Sequence, residues 1–173
     1  DLILCRAVAK VRSLMPALLP RFFGDLEPEE ILRHPDLVFS AGEPAINIYT
    51  SGGGFDKHTD KQSLTVLVPL SRARDGGAAD GGVADRAASP PIPRDCAFEY
   101  DGGGTAFYSA ATQAHSRSPR DAAGDATPPE ARPTVVVRPP PGTAIVFSGG
   151  MCHAAEPVLG GTRCVLVASF SAK

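Results

Sequence analysis

From Leu37 onward the chain is a succession of short runs rich in Val, Ile, Thr, Phe and Tyr, each closed within a few residues by Gly, Pro or Asp. This rhythm predicts strands over 37–40, 45–50, 63–70, 97–100, 105–109, 134–138, 143–148, 152–158 and 163–171. No helical period stands between them. A doubly wound sheet needs a helix after each strand, so the pattern favours a mainly β fold, a sandwich or a barrel.

The first 35 residues read differently. Leu4, Val8, Val11, Met15, Leu18 and Leu19 recur at three-to-four spacing, which predicts a helix with one apolar face, ended or kinked by Pro16. Such a face packs a helix onto a sheet, giving an N-terminal helical layer in front of one β domain that fills residues 1–173. Gly and Pro together make up about a fifth of the chain. Many of them fall in 72–94 and 110–132, where large apolar residues are almost absent, so these stretches are expected as long loops, either disordered or lids.

Bulk properties exclude several classes. A net charge of −2 gives no basic field for nucleic acid. No apolar run approaches the roughly 20 residues a membrane span requires. Cys5, Cys96, Cys152 and Cys164 form no CxxC pair, which argues against a zinc finger or a disulfide scaffold. Cys152 reads as a small buried residue on a strand. The chain opens on Asp1 rather than Met, as expected of an excised or processed form, and its compartment stays open.

Two segments carry chemistry. In the first, His58 and Asp60 stand two apart, and on a strand that spacing turns both side chains to one face. In the second, the run 143–148 is followed by Gly149-Gly150 and then His153, a candidate third metal ligand. Two imidazoles and a carboxylate form the facial triad of non-haem Fe(II) oxygenases, which leaves positions open on the metal. Arg163 lies ten residues after His153, beyond a Gly160-Gly161 turn, so a hairpin would return it to the same pocket. Its planar fork suits a carboxylate, and a cation on an otherwise apolar strand needs such a partner. His34 and His115 lack comparable neighbours and are assigned no role. The glycines at 52–54 and 102–104 have no helix after them, so they read as tight turns rather than a phosphate cradle.

Tyr49 nine residues before His58, the His58-Thr59-Asp60 motif, the Gly102–Phe107 segment, and His153 with Arg163 ten later occur in an order and spacing that resemble the prolyl 4-hydroxylase-like branch of the 2-oxoglutarate/Fe(II)-dependent dioxygenases. The resemblance runs from about residue 45 to 171. It implies a double-stranded β-helix, or jelly roll, with Fe(II) on His58, Asp60 and His153. It implies 2-oxoglutarate held by Arg163 with Tyr49 and Thr105, O2 as oxidant, and ascorbate as a candidate reductant. The implied reaction hydroxylates an unactivated C–H bond of a prolyl or other peptide residue, releasing succinate and CO2. A small-molecule substrate is the alternative. One departure weakens prolyl specificity: collagen- and algal-type prolyl hydroxylases usually carry Lys where this chain has Arg163. From other classes, a jelly-roll zinc hydrolase on the same ligands and a non-catalytic binding module remain rivals.

Overall fold

The computed structural model describes residues 2–74, 98–109 and 132–172. Three helices come first: α1 (Leu2–Leu14), α2 (Pro20–Phe23) and α3 (Pro28–Ile31). α1 ends one residue before Met15, two before Pro16, whose ring cannot continue the helix. Leu4, Ala7, Val8 and Val11 are its buried face. Met15 is exposed, a correction to the sequence pattern: it lies past the helix end, so the three-to-four spacing no longer fixes its direction. Both short helices open with Pro, whose missing N–H costs nothing in a first turn.

The rest is mainly β. The strands are β1 (Leu37–Phe39), β2 (Ala45–Tyr49), β3 (Phe55–His58), β4 (Leu64–Pro69), β5 (Arg72–Ala73), β6 (Glu99–Gly102), β7 (Thr105–Phe107), β8 (Val135–Val137), β9 (Ile145–Ser148), β10 (His153–Ala155), β11 (Val158–Gly161) and β12 (Arg163–Ala172). They form a five-stranded sheet ordered β1-β12-β4-β9 with β2 also on β12, a four-stranded sheet β3-β10-β7-β8, and a three-stranded sheet β11-β6-β5. Every pairing is antiparallel except β5 with β6.

Several boundaries differ from the sequence pattern. β3 and β5 were not expected, because Asp56, Lys57 and Arg72 break the apolar run. The run 152–158 divides into β10 and β11 at Pro157, which has no N–H for a ladder. β5 also takes Arg72 and Ala73 out of the first expected loop. The remaining loop positions lie outside the described residues, apart from Arg74 and the single residue Arg132 that ends the second loop.

The five-stranded sheet is buried on both faces at its centre. Along β4, Leu64, Val66 and Val68 join Val8, Leu19, Phe23 and Ile31 of the helical segment, together with Ala168 and Phe170 of β12. The alternate residues Thr65 and Leu67 face a cavity, as do Val165 and Val167 of β12. Across that cavity lie His58 and His153 of the four-stranded sheet, so the pocket sits between the two sheets. On β2 the side chains alternate, with Asn47 and Tyr49 on the cavity face and Ile46 and Ile48 on the outer one. The two isoleucines are 57% and 65% exposed, because β2 lies on the outside of β12 and among the described residues nothing covers its outer face.

Candidate metal centre and its pocket

β10 holds His153 at the centre of the four-stranded sheet. In register it faces His58 on β3 and Phe107 on β7. The pairing His58↔His153 and Phe55↔Ala155 spans three steps on β3 against two on β10. That bulge keeps Phe55 on the same face as His58. The two imidazole rings lie 4.3 Å apart between centroids.

Asp60 arrives by another route. β3 ends at His58, so strand alternation does not aim Asp60, contrary to the sequence argument. Its carboxylate is instead engaged by the Thr65 hydroxyl of β4. This brings Asp60 Oδ1 to 3.5 Å from His58 Nε2 and Asp60 Oδ2 to 3.8 Å from His153 Nε2. One ligand atom from each of the three residues lies within 4.8 Å of the others, a spacing that a single cation can bridge.

The outer nitrogens of both histidines are fixed by the backbone. His58 Nδ1 lies 2.8 Å from the Asp56 carbonyl, and His153 Nδ1 lies 2.9 Å from the Met151 carbonyl. A carbonyl only accepts, so Nδ1 carries the proton in each ring and the Nε2 lone pair points into the site. This is how ligating imidazoles are held in metal proteins. His153 is wedged edge-on against Phe147, with ring centroids 4.7 Å apart, and Phe107 lies beyond it. Burial in this apolar setting pushes the His153 pKa below its ordinary value of 6.5. The hydrogen bond to Met151 and the Asp60 charge pull it back up, while His58 adds to the depression. A buried, neutral imidazole is the ligand form.

Arg163 begins β12, directly opposite Tyr49 on β2. It is 4% exposed. One guanidinium nitrogen donates to Thr105 Oγ1 at 3.0 Å, and the guanidinium carbon lies 5.4 Å from the centre of the Tyr49 ring. Its Nε has no hydrogen-bond partner, and it makes no ion pair among the described residues. Gly103, at φ +59°, lets the backbone pass bare beside this side chain: a Cβ there would sit 3.3 Å from Arg163 Cδ and 3.0 Å from the Tyr100 ring. Arg138 Nε fixes that turn by donating to the Gly102 and Gly103 carbonyls at 3.1 and 2.9 Å.

All six residues singled out in the sequence, Tyr49, His58, Asp60, Thr105, His153 and Arg163, line this one cavity of roughly 110 Å³. Sequence reasoning missed Thr65, Asn47 and Phe55. Asn47 could have been found from the strand period, since it shares a face with Tyr49 on β2, whereas no assigned residue stands on β4 and only strand pairing brings Thr65 to the site. Phe55, 56% exposed and edge-on to His58 at 4.7 Å, was hidden by the bulge. Phe55, Ala154 and Ala155 also border a second, larger groove of roughly 540 Å³. Cys152 is buried and is not among the converging ligand atoms of the described residues, and Cys96 lies outside them.

No family model matches the chain, and no curated protein matches it. Among solved structures it is similar to an oxidoreductase of the 2OG-Fe(II) oxygenase family from Burkholderia pseudomallei. The two share 20% identity over 74% of this chain and 41% of that protein, with a TM-score of 0.40. The chain therefore spans less than half of that protein's length.

Proposed function

We propose that the chain is an Fe(II)- and 2-oxoglutarate-dependent dioxygenase that hydroxylates an unactivated C–H bond. Its two larger sheets would be the halves of a single jelly-roll domain, with the helical segment as an outer layer. The observation that carries this reading is Arg163. A guanidinium keeps its charge even when buried, and burying it unpaired is costly. It stands in the same cavity as three converging metal-ligand atoms. A small dicarboxylate that reaches the metal at one end and Arg163 at the other accounts for both features at once. A zinc hydrolase on the same three ligands would leave Arg163 without a partner.

The donor set fits the metal. Two neutral imidazoles and one carboxylate suit Fe(II) and leave coordination positions for other ligands. When bound, Fe(II) and 2-oxoglutarate supply the oxidation, with O2 as oxidant, succinate and CO2 as co-products, and ascorbate as an accessory reductant. The chain's own residues bind and orient. His58, Asp60 and His153 hold the metal, while Arg163 and the Thr105 hydroxyl receive the distal carboxylate. The Tyr49 ring lies under the guanidinium, 5.4 Å from its carbon, and supports the cation through its face. Phe147, Phe107, Leu67 and Val165 wall off water. The substrate is proposed to be a peptide segment, prolyl or otherwise. In support, the larger groove adjoins the cavity at Phe55 and offers room beyond a single side chain. A small molecule is the alternative.

Two measurements test this. Purified protein with Fe(II), ascorbate and air should convert 2-oxoglutarate to succinate, and His58→Ala should abolish the conversion. In the absence of oxygen, Arg163→Ala should weaken 2-oxoglutarate binding to the metal-loaded protein roughly 10- to 100-fold, the value of about 1.5–3 kcal/mol for a charge-assisted hydrogen bond. Unchanged binding in Arg163→Ala would remove the assigned anchor, and succinate formed equally by His58→Ala would remove the assigned metal site.

A further inference from the structure

Thr65 is a polar residue in the middle of an apolar strand, with Leu64, Val66, Leu67 and Val68 around it, and it is almost completely buried. A hydroxyl survives in such a place only with hydrogen-bond partners. Thr65 has two. Its Oγ1 is bonded to Asp60 Oδ2, and Ser169 Oγ, its register partner on β12, lies 3.3 Å away. A hydroxyl owns one proton, and a ligating carboxylate can only accept. The Thr65 proton therefore goes to Asp60, and the contact with Ser169 is made with the Ser169 proton. Ser169 is itself fixed at both backbone groups. Its N–H donates to the Glu43 carboxylate, and its carbonyl accepts from Ser40 N at 2.9 Å.

We infer that Thr65 is a positioning residue for the metal: its hydroxyl, oriented by Ser169, holds Asp60 Oδ2 and so presents Oδ1, the oxygen nearer His58 Nε2, to the cation. The inference rests on the metal-site reading above and adds a residue from outside the HxD motif. The physical need is specific to this chain. Asp60 lies beyond the end of β3, where no ladder aims its side chain, whereas both histidines are strand residues whose Nδ1 atoms are tied to carbonyls. Without Thr65 the carboxylate is the one ligand of the three free to turn away. Partners of this kind are generally worth 10- to 100-fold in metal affinity.

The experiment titrates the full chain with Co(II), followed by its visible absorption, in wild type, Thr65→Val, Thr65→Ala, Thr65→Ser and His58→Ala. Val keeps the volume and loses the hydroxyl; Ser keeps the hydroxyl and loses the methyl. Positioning by the hydroxyl predicts Co(II) affinity lower by roughly 10- to 100-fold in both Val and Ala variants, with a shifted absorption band. The Ser variant should stay within about threefold of wild type, on the same reasoning. If Thr65→Val does not melt cooperatively, the Ala–Ser pair decides. Equal weakening in Ser and Ala would assign the effect to packing and overturn the inference. Wild-type affinity and spectrum in the Val and Ala variants would overturn it while leaving the metal site intact. Co(II) binding that is absent in wild type, or unaffected in His58→Ala, would overturn the metal-site reading and this inference with it.

Discussion

The surroundings of His153 make the stability of the metal-free protein depend on pH. Its pKa is pushed below 6.5, first by burial, so in the window just below 6.5 the unfolded chain binds a proton that the folded chain refuses. Stability therefore rises with pH through that window. It is fully present above pH 6.5 and is lost progressively as pH falls towards the depressed folded value. Thermal melts of metal-free protein between pH 7.5 and 5 should show this fall, and His153→Gln should flatten the part that His153 contributes. An unchanged slope in that variant would place the effect elsewhere. The same desolvation keeps the ring neutral, the state a metal requires.

At the scale of elements, the turn between β9 and β10 leaves no room for a side chain at Gly149. Gly149 packs on the 60–63 turn: its N–H donates to the Ser63 carbonyl at 3.1 Å, and an added Cβ would meet the Gln62 carbonyl oxygen at 1.9 Å and Asp60 Cβ at 3.3 Å. The clash is with backbone, so the 60–63 turn itself must move. Gly149→Ala should destabilise the protein by about 1–3 kcal/mol, the usual cost of overpacking, and weaken Co(II) binding because Asp60 moves with the turn. Gly150→Ala is the control. Its nearest atom would be Ser148 Oγ at 3.7 Å, an ordinary contact, and both readouts should stay at wild type. Equal behaviour of the two variants in melting and titration would show that the turn does not restrain Asp60. The β3 bulge acts at the same scale, turning Phe55 toward the mouth of the site rather than away from it.

Across the whole molecule, β12 stands between the cavity and the apolar layer that faces the helices. Its cavity face carries Arg163, Val165 and Val167, and its other face carries Ala168 and Phe170 into the apolar layer shared with the helices. Phe170 is fully buried, stacked on Phe23 at 5.9 Å and tilted against Phe39 at 5.6 Å. Phe170→Ala should cost about 3–5 kcal/mol of unfolding free energy, read as a lower denaturant midpoint. Co(II) affinity measured well below the transition should change little, since Phe170 belongs to the apolar layer with the helices and does not line the cavity. A large loss of affinity without a loss of stability would mean that the apolar layer also tunes the site.

Much of this was written locally. Short β runs punctuated by Gly and Pro determine a mainly β chain after residue 35, because side-chain alternation and turn chemistry act over a few residues. The spacing of Leu4, Val8 and Val11 determines the buried face of α1 for the same reason. The donor types at His58, Asp60, His153 and Arg163 were legible too, since few side chains can bind a metal or clasp a carboxylate. Only the tertiary structure decided the rest. It set Asp60 in place through a hydroxyl on another strand, turned Phe55 inward through a bulge, exposed Ile46 and Ile48 at an edge, and left Arg163 Nε buried without a partner. Those outcomes depend on which strands become neighbours, and that is settled by packing between residues as far apart in the chain as Thr65 and Ser169.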